Sequence, residues 1–125
     1  MIKYLMVAIG GALGAMARLW LNRYVAGKFG VLFPYGTFVI NVSGCFLIGF
    51  IVTVLDEHSH WSANWHYLIP IGFIGAYTTF STFEFETLRS AQEGRLAIAF
   101  LNVVLSVTLG FAAVWLGLVS GRAVS

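Results

Sequence analysis

Four long apolar stretches dominate this chain, and most of the charged residues fall in the connections between them or near the termini. The stretches cover residues 4–24, 33–55, 67–90 and 96–120, and a bilayer-spanning helix needs about 20 mostly apolar residues. Of the 125 residues 59% are hydrophobic and 10% are charged, whereas a soluble domain is roughly 25% charged. We therefore predict an all-α, multi-pass integral membrane protein of the cell (inner) membrane, with residues 1–125 forming one four-span domain.

Charge and residue types exclude several function classes. The net charge of +2 is spread along the chain, without the clustered basic patch that nucleic acid requires, so no nucleic-acid partner is expected. An enzyme would need a nucleophile with a base, or a metal site. The three histidines, His58, His60 and His66, lie in one connection beside Asp56 and Glu57. A solvated turn and a metal cluster are both open there, but loop ligands lack the spacing of established sites. We predict that the chain is not an enzyme.

The first apolar stretch has two interpretations. Lys3, the apolar run after it and the small residues 15–17 imitate a cleavable signal peptide. Gly10 and Gly14 instead have the spacing that lets two helices pack closely in a membrane. Because three further apolar stretches follow, we expect a retained span.

Polar side chains recur at helical spacing inside two stretches. Thr37 and Asn41 lie four residues apart in the second stretch, and Asn102 and Ser106 lie four apart in the fourth. Each pair therefore occupies one face of its helix. Such a stripe is typical both of a polar pathway and of hydrogen bonds between packed helices, and spacing alone does not separate the two.

Charged residues near the span ends are a further candidate set. Arg18 lies late enough in the first stretch for its guanidinium to reach the membrane interface. Glu86 and Arg89 are three residues apart near the end of the third stretch, so we expect them to form an ion pair on one helix face.

The third stretch contains "GAYTTFSTF" at residues 75–83. A glycine followed by Thr78, Thr79, Ser81 and Thr82 makes a poor continuous helix, because β-branched and hydroxyl residues favour other backbone conformations. We therefore predict a broken helix. A break at membrane depth frees backbone carbonyls, which protein, water or an ion must satisfy, and carbonyl oxygen suits a hard cation such as Na⁺.

Two phenylalanines follow the break. Phe80 and Phe83 are three residues apart, so both rings project from one side of the helix that resumes there. Aromatic ring edges are electropositive and can contact an anion without trapping it. Packing within a core is the alternative interpretation.

These motifs resemble one known family. "GGALGAMAR", "GTFVINVSGCFLIG", "GFIGAYTTFSTFEFE" and "NVVLSVTLG" are similar, in order and spacing across nearly the whole chain, to the Fluc (CrcB) family of fluoride channels. The resemblance implies a four-span chain with a broken third helix, assembled as an antiparallel dual-topology homodimer with two pores. It further implies a fluoride-selective channel that passively exports cytoplasmic fluoride and so reduces fluoride toxicity.

Positions in the motifs then imply individual roles. Gly75 and Thr78 become the carbonyl ligands of a central structural Na⁺, in both subunits. Phe80 and Phe83 become the ring pair along the fluoride path, with Asn41 as an amide donor beside them. The other implied pathway residues are Ser81, Thr82 and Ser106 as a polar track, Glu86 near it, Thr37 toward a vestibule, Arg18 as the family arginine and Asn102 as a looser match.

Two other function classes remain as alternatives. A small dual-topology multidrug or cation transporter is expected to carry a titratable carboxylate in its first span, and residues 1–24 contain no Asp or Glu. An accessory protein that only packs against others would conduct no ion by itself.

Overall fold

The computed structural model describes every residue from Met1 to Ser125, and it contains helices but no β-strand. Helix α1 is Ile2–Phe29, α2 is Tyr35–Glu57, α4 is Phe80–Gln92 and α5 is Leu96–Val124. Helix α3, residues 64–77, consists of three consecutive segments, Asn64–His66, Tyr67–Ile74 and Gly75–Tyr77. The prediction of an all-helical chain is confirmed.

Three helices, α1, α2 and α5, are long and apolar enough to cross a membrane. The third predicted stretch, residues 67–90, is divided between α3 and α4, and neither half reaches the about 20 residues that a span needs. The chain therefore has three helices of membrane-spanning length, α1, α2 and α5, and two shorter helices, α3 and α4.

The two halves separate where the hydroxyl residues predict a break. Thr78 (φ −83°, ψ 157°) and Thr79 (φ −149°, ψ 116°) are both extended, the conformation that β-branched residues tolerate best. The hydroxyl of Thr79 accepts a hydrogen bond of 3.3 Å from the backbone N–H of Thr82. Thr79 thus caps the N-terminus of α4, as threonine commonly does.

The middle segment of α3, Tyr67–Ile74, winds more widely than an α-helix and has π-helical character. Pro70 lies inside it, and proline has no N–H to donate to the preceding turn. Such local widening relieves the missing hydrogen bond. The sequence reasoning did not predict this irregularity.

The helices pack most closely at glycines. A Cβ on Gly10 or Gly14 would collide with backbone atoms of α3, at Leu68 and Phe73. On the other side of the chain α2 and α5 approach equally closely, so that a Cβ on Gly117 would strike the Phe46 carbonyl. The close packing expected at Gly10 and Gly14 is confirmed, and Gly117 plays the same part between α2 and α5. Helix α4 completes the arrangement by resting mainly on α5.

Candidate functional site

Asn41 pairs with the backbone of the break. Its Nδ2 donates to the carbonyl of Thr79 at 2.9 Å, and its Oδ1 accepts from the N–H of Thr79 at 2.8 Å. The carboxamide therefore gives the Thr79 N–H the acceptor that it lost at the break, and it adds a donor to the Thr79 carbonyl. One of the two N–H groups on Nδ2 remains for another acceptor.

A cavity of about 300 Å³ opens beside this pair, between α2, α5 and the break. We call it the phenylalanine cavity. It contains five of the residues singled out from the sequence: Asn41, Thr78, Phe80, Phe83 and Ser106. The rest of its wall is Gly44, Cys45, Ile48, Ile74, Thr79 and Val107. Residues 65 positions apart in the chain thus meet in one mostly apolar space with a few hydrogen-bonding groups.

The two predicted rings share this wall but differ in burial. The centroids of Phe80 and Phe83 are 5.9 Å apart, with the rings tilted by 48°. Phe83 is 6% exposed, whereas Phe80 is 74% exposed in the single chain. Phe83 is therefore held by its own chain, and Phe80 is free to contact lipid or another subunit.

A second cavity, of about 260 Å³, lies on the opposite side of the break against α1. We call it the arginine cavity, because Arg18 lies in its wall with Thr37 and Thr82. The Nε of Arg18 is buried there without a hydrogen-bond partner. Thr79 lines both cavities, so the break forms the partition between them.

Glu86 lines a third cavity of about 260 Å³, toward the ends of α1 and α4. One carboxylate oxygen, Oε1, is buried without a partner. The expected ion pair with Arg89 is wrong, since the one Lys or Arg side chain within 4 Å of a carboxylate is Arg95, beside Glu93. The guanidinium of Arg89 lies instead over the ring of Phe85, 4.7 Å from its centroid, a favourable cation–π contact.

Asn102 and Ser106 form a hydrogen-bonded group between α4 and α5. The Ser106 hydroxyl donates to Oδ1 of Asn102 at 3.2 Å, and Nδ2 of Asn102 donates to the hydroxyl of Thr87 at 2.9 Å. Asn102 is 2% exposed. The stripe predicted in the fourth stretch thus makes a helix–helix contact through Asn102 and reaches the phenylalanine cavity through Ser106.

Not every predicted residue lies in these cavities. Ser81 is exposed on α4, and Gly75 is exposed on α3. Conversely, Thr79, which contacts Asn41, was used only to predict the break and not as a site residue, and Thr87, which contacts Asn102, was not selected. A threonine three residues before the Thr82 N–H is a helix-capping signal, and Thr87 lies one turn beyond Phe83.

Two backbone carbonyls at the break lack their helical donors. In a continuous helix the Gly75 carbonyl would accept from the N–H of Thr79, which here donates to Asn41. The Thr78 carbonyl would accept from the N–H of Thr82, which here donates to the Thr79 hydroxyl. Both carbonyls that the resemblance assigns to Na⁺ have therefore lost their helical donors.

The side chains of the histidine-rich connection contact neighbouring rings and a carboxylate. No group of three or more His, Cys, Asp or Glu side chains is placed to hold a metal ion. The ring of His58 stacks on Trp61 with centroids 4.3 Å apart, and His66 lies 3.4 Å from Asp56. The solvated-turn interpretation of this segment stays a prediction.

Comparison with known proteins agrees with the motifs. Residues 5–118 match the family described as "CrcB-like protein, Camphor Resistance (CrcB)". The chain is 58% identical over 121 residues to the fluoride-specific ion channel FluC of Acidobacterium capsulatum, with 97% of each chain covered. It is 46% identical over 121 residues to the FluC of Solibacter usitatus, covering 97% of this chain and 99% of that one.

A third relative, the FluC of Rhodospirillum rubrum, is 47% identical over 118 residues, covering 93% and 92% of the two chains. All three relatives are named as ion channels, which agrees with the prediction that the chain is not an enzyme. Together with the three membrane-long helices, they also confirm the prediction of a multi-pass protein of the cell membrane. The chain therefore belongs to the CrcB family.

Proposed function

We propose that this protein is a fluoride-selective channel that lets cytoplasmic fluoride leave the cell passively through the inner membrane and so reduces fluoride toxicity. The observation that carries the proposal is the phenylalanine cavity, where Asn41, Phe80, Phe83 and Ser106 meet at a helix break. The relatives named fluoride-specific ion channels support the choice of ion.

The cavity has the chemistry that a small, strongly hydrated anion needs. Fluoride leaves water only if N–H or O–H donors, or electropositive ring edges, replace its hydration. The free N–H of Asn41 and the rings of Phe80 and Phe83 are such groups, and none carries a full charge. Weak binding at several sites lets an ion leave again.

Polar groups on the other side of the break would guide the ion to this cavity. Arg18, Thr37 and Thr82 share the arginine cavity, and the unpartnered Nε of Arg18 gives it positive character. Glu86 lies in the neighbouring cavity, and Asn22 lines both. We assign these two cavities to a vestibule, and we place Ser81 on a polar track along α4.

The pathway is completed by a second copy of the chain. We propose that α1, α2, the α3–α4 pair and α5 make four spans, and that two chains assemble as an antiparallel dual-topology homodimer with two pores. Phe80 is 74% exposed beside a buried Phe83. A partner subunit would cover Phe80 and close the open side of the cavity.

The break also fits a structural Na⁺ at the dimer centre. The carbonyls of Gly75 and Thr78 from both chains would hold it, since both have lost their helical donors. When bound, Na⁺ supplies a positive charge that offsets the carbonyl dipoles. Gly75 is exposed on the surface of its own chain, so it is accessible to a site shared between copies.

Ion efflux from liposomes tests the proposed function directly. The purified protein is reconstituted with fluoride or chloride salts inside, and ion loss is followed with ion-selective electrodes. Rapid fluoride loss without chloride loss is expected. Equal loss of both ions, or loss of neither, would refute the proposal.

A second experiment, which fixes the orientation of the chain in the membrane, tests the antiparallel dimer separately. Lys3 and Arg122 lie on one side of a four-span chain, and Arg23, Lys28, Arg89 and Arg95 lie on the other, which is a weak bias. Two or three lysines added within residues 56–62 should force one orientation and abolish export, and lysines added within 91–95 should force the other. Co-expression of both variants should restore export. Full activity of one variant alone, with a single orientation confirmed by cysteine labelling, would contradict the antiparallel dimer.

A further inference from the structure

A chain of three hydrogen bonds runs from the wall of the phenylalanine cavity to the backbone of α4. Ser106 donates to Asn102 at 3.2 Å, Asn102 donates to Thr87 at 2.9 Å, and Thr87 donates to the carbonyl of Phe83 at 2.8 Å. Each side chain donates to the next in the order Ser106, Asn102, Thr87 and the Phe83 carbonyl. The Asn102–Thr87 bond is the one side-chain hydrogen bond between α4 and α5.

The direction of this chain decides what Ser106 offers to the cavity. Its hydroxyl proton is used by Asn102, so its oxygen presents lone pairs to the space that it lines. Lone pairs repel an anion. In this arrangement Ser106 cannot serve as a donor on an anion pathway.

Rotating the Asn102 carboxamide by half a turn reverses the direction of its hydrogen bonds with Ser106 and Thr87. Nδ2 would then donate to the Ser106 oxygen, and Oδ1 would accept from the Thr87 hydroxyl. The Ser106 proton would be free to donate into the cavity. Thr87 can pair with Asn102 in both states, because a hydroxyl both donates and accepts. Asn102 is 2% exposed, so an unpaired amide there would be costly in either state.

We propose that Thr87 and Asn102 are positioning residues that switch Ser106 from acceptor to donor when an anion enters the phenylalanine cavity. The switch rests on the proposed channel function, and it gives Thr87 a role that sequence reasoning did not assign. Because no covalent bond changes, the two states differ only in the orientation of one amide and two hydroxyls.

The test is a double-mutant comparison of fluoride efflux in liposomes. Thr87→Val keeps the side-chain shape but removes the hydroxyl, so fluoride efflux should fall about tenfold, the factor expected for one lost hydrogen bond to an ion. Thr87→Ser keeps the hydroxyl and should conduct like the wild type. In a Ser106→Ala background, Thr87→Val should change efflux less than about twofold, because Thr87 acts through Ser106. Equal losses in both backgrounds would overturn the proposal and make Thr87 a packing residue.

A measurement on protein with an unaltered Thr87 covers the case in which Thr87→Val does not fold. The side-chain amide resonance of Asn102, labelled with ¹⁵N, should shift when fluoride is added and not when chloride is added. The shift should disappear in Ser106→Ala. An Asn102 resonance that fluoride leaves unchanged in a conducting wild-type protein would overturn the switch alone, whereas a wild type that conducts no fluoride would overturn the channel function.

Discussion

Helices α3 and α4 are two halves of one predicted span, yet they are held in place by different means. Helix α3 lies against α1 at backbone distance, where Gly10 and Gly14 leave no room for a side chain. Helix α4 is held by the burial of Phe83 and by one side-chain hydrogen bond, from Asn102 to Thr87. Close backbone packing fixes a position, whereas hydroxyl and amide groups can exchange partners. The break thus joins a half held by close backbone packing to a half held through side chains.

Burial follows the same division. In α3 the inward residues include Ile74 and Tyr77, at 2% and 6% exposure, whereas Phe83 is the one buried residue of α4. Large side chains of α4 such as Phe85 and Leu88 are more than half exposed. The chain itself therefore leaves most of the apolar surface of α4 uncovered, whereas it buries Ile74 and Tyr77 of α3.

The largest effect is expected from filling the α1–α3 contact. In Gly10→Ala the new Cβ would meet the Leu68 carbonyl and the Phe73 N–H, and backbone atoms cannot move aside as a flexible side chain can. Overpacking of this kind typically costs about 1–3 kcal/mol or more. We expect loss of most folded protein, measured by size-exclusion chromatography and thermal unfolding in detergent.

Gly27→Ala is the matched control, because nothing lies within 4 Å of a Cβ at Gly27 on the same helix. It should unfold at the wild-type temperature or slightly above it, since alanine favours helix. Equal stability of the Gly10 and Gly27 variants would show that α3 is not held by close backbone packing.

The second-largest effect is expected at the break, where Asn41 pairs with the backbone of Thr79. Asn41→Leu removes both partners of the Thr79 backbone, and each unpaired buried group costs about 1–3 kcal/mol. Asn41→Asp keeps the acceptor for the Thr79 N–H but places a carboxylate oxygen against its carbonyl. We expect both variants to lose stability and fluoride efflux, with amide hydrogen exchange of Thr79 strongly accelerated in Asn41→Leu and less so in Asn41→Asp. If the Thr79 amide stayed protected from hydrogen exchange in Asn41→Leu, the proposed role of Asn41 in holding the Thr79 backbone would be wrong.

Local features of the break were predictable from the sequence, and long-range partners were not. The hydroxyl run at residues 78–82 disfavours helix by itself, so the position of the break followed from propensity. The partner of Thr79 is Asn41, 38 residues earlier, and helical spacing gave only the face of α2 on which Asn41 lies. The burial of Phe83 beside an exposed Phe80 depends on how α4 rests on α5, which no pattern within α4 encodes.

Phe80 and Phe83 differ in burial, so a third experiment should separate their effects on stability from their effects on fluoride efflux. Phe83→Ile changes the volume of a side chain that is 6% exposed, so it should cost about 1 kcal/mol of stability and also reduce fluoride efflux. Phe80→Ile, at a position 74% exposed, should leave the stability of the single chain within about 0.5 kcal/mol and still reduce efflux. Phe111→Ile, 79% exposed on α5, is the control and should change neither. Unchanged efflux in both ring variants would make these rings packing residues only.

The smallest effect is expected from Glu86 and Arg89, where the spacing of the sequence and the structure disagree. A helical ion pair three residues apart contributes about 0.2–0.5 kcal/mol, but the Arg89 guanidinium lies over the Phe85 ring instead. In a double-mutant cycle of Glu86→Gln and Arg89→Gln, the two changes in stability should therefore add, with a coupling energy near zero. In contrast, Phe85→Leu and Arg89→Gln should be coupled by about 0.5–1 kcal/mol, because they remove the same cation–π contact. Coupling between Glu86 and Arg89 above that between Phe85 and Arg89 would show that α4 uses the ion pair after all, and that its surface follows simple helical spacing as closely as the glycines of α1 do.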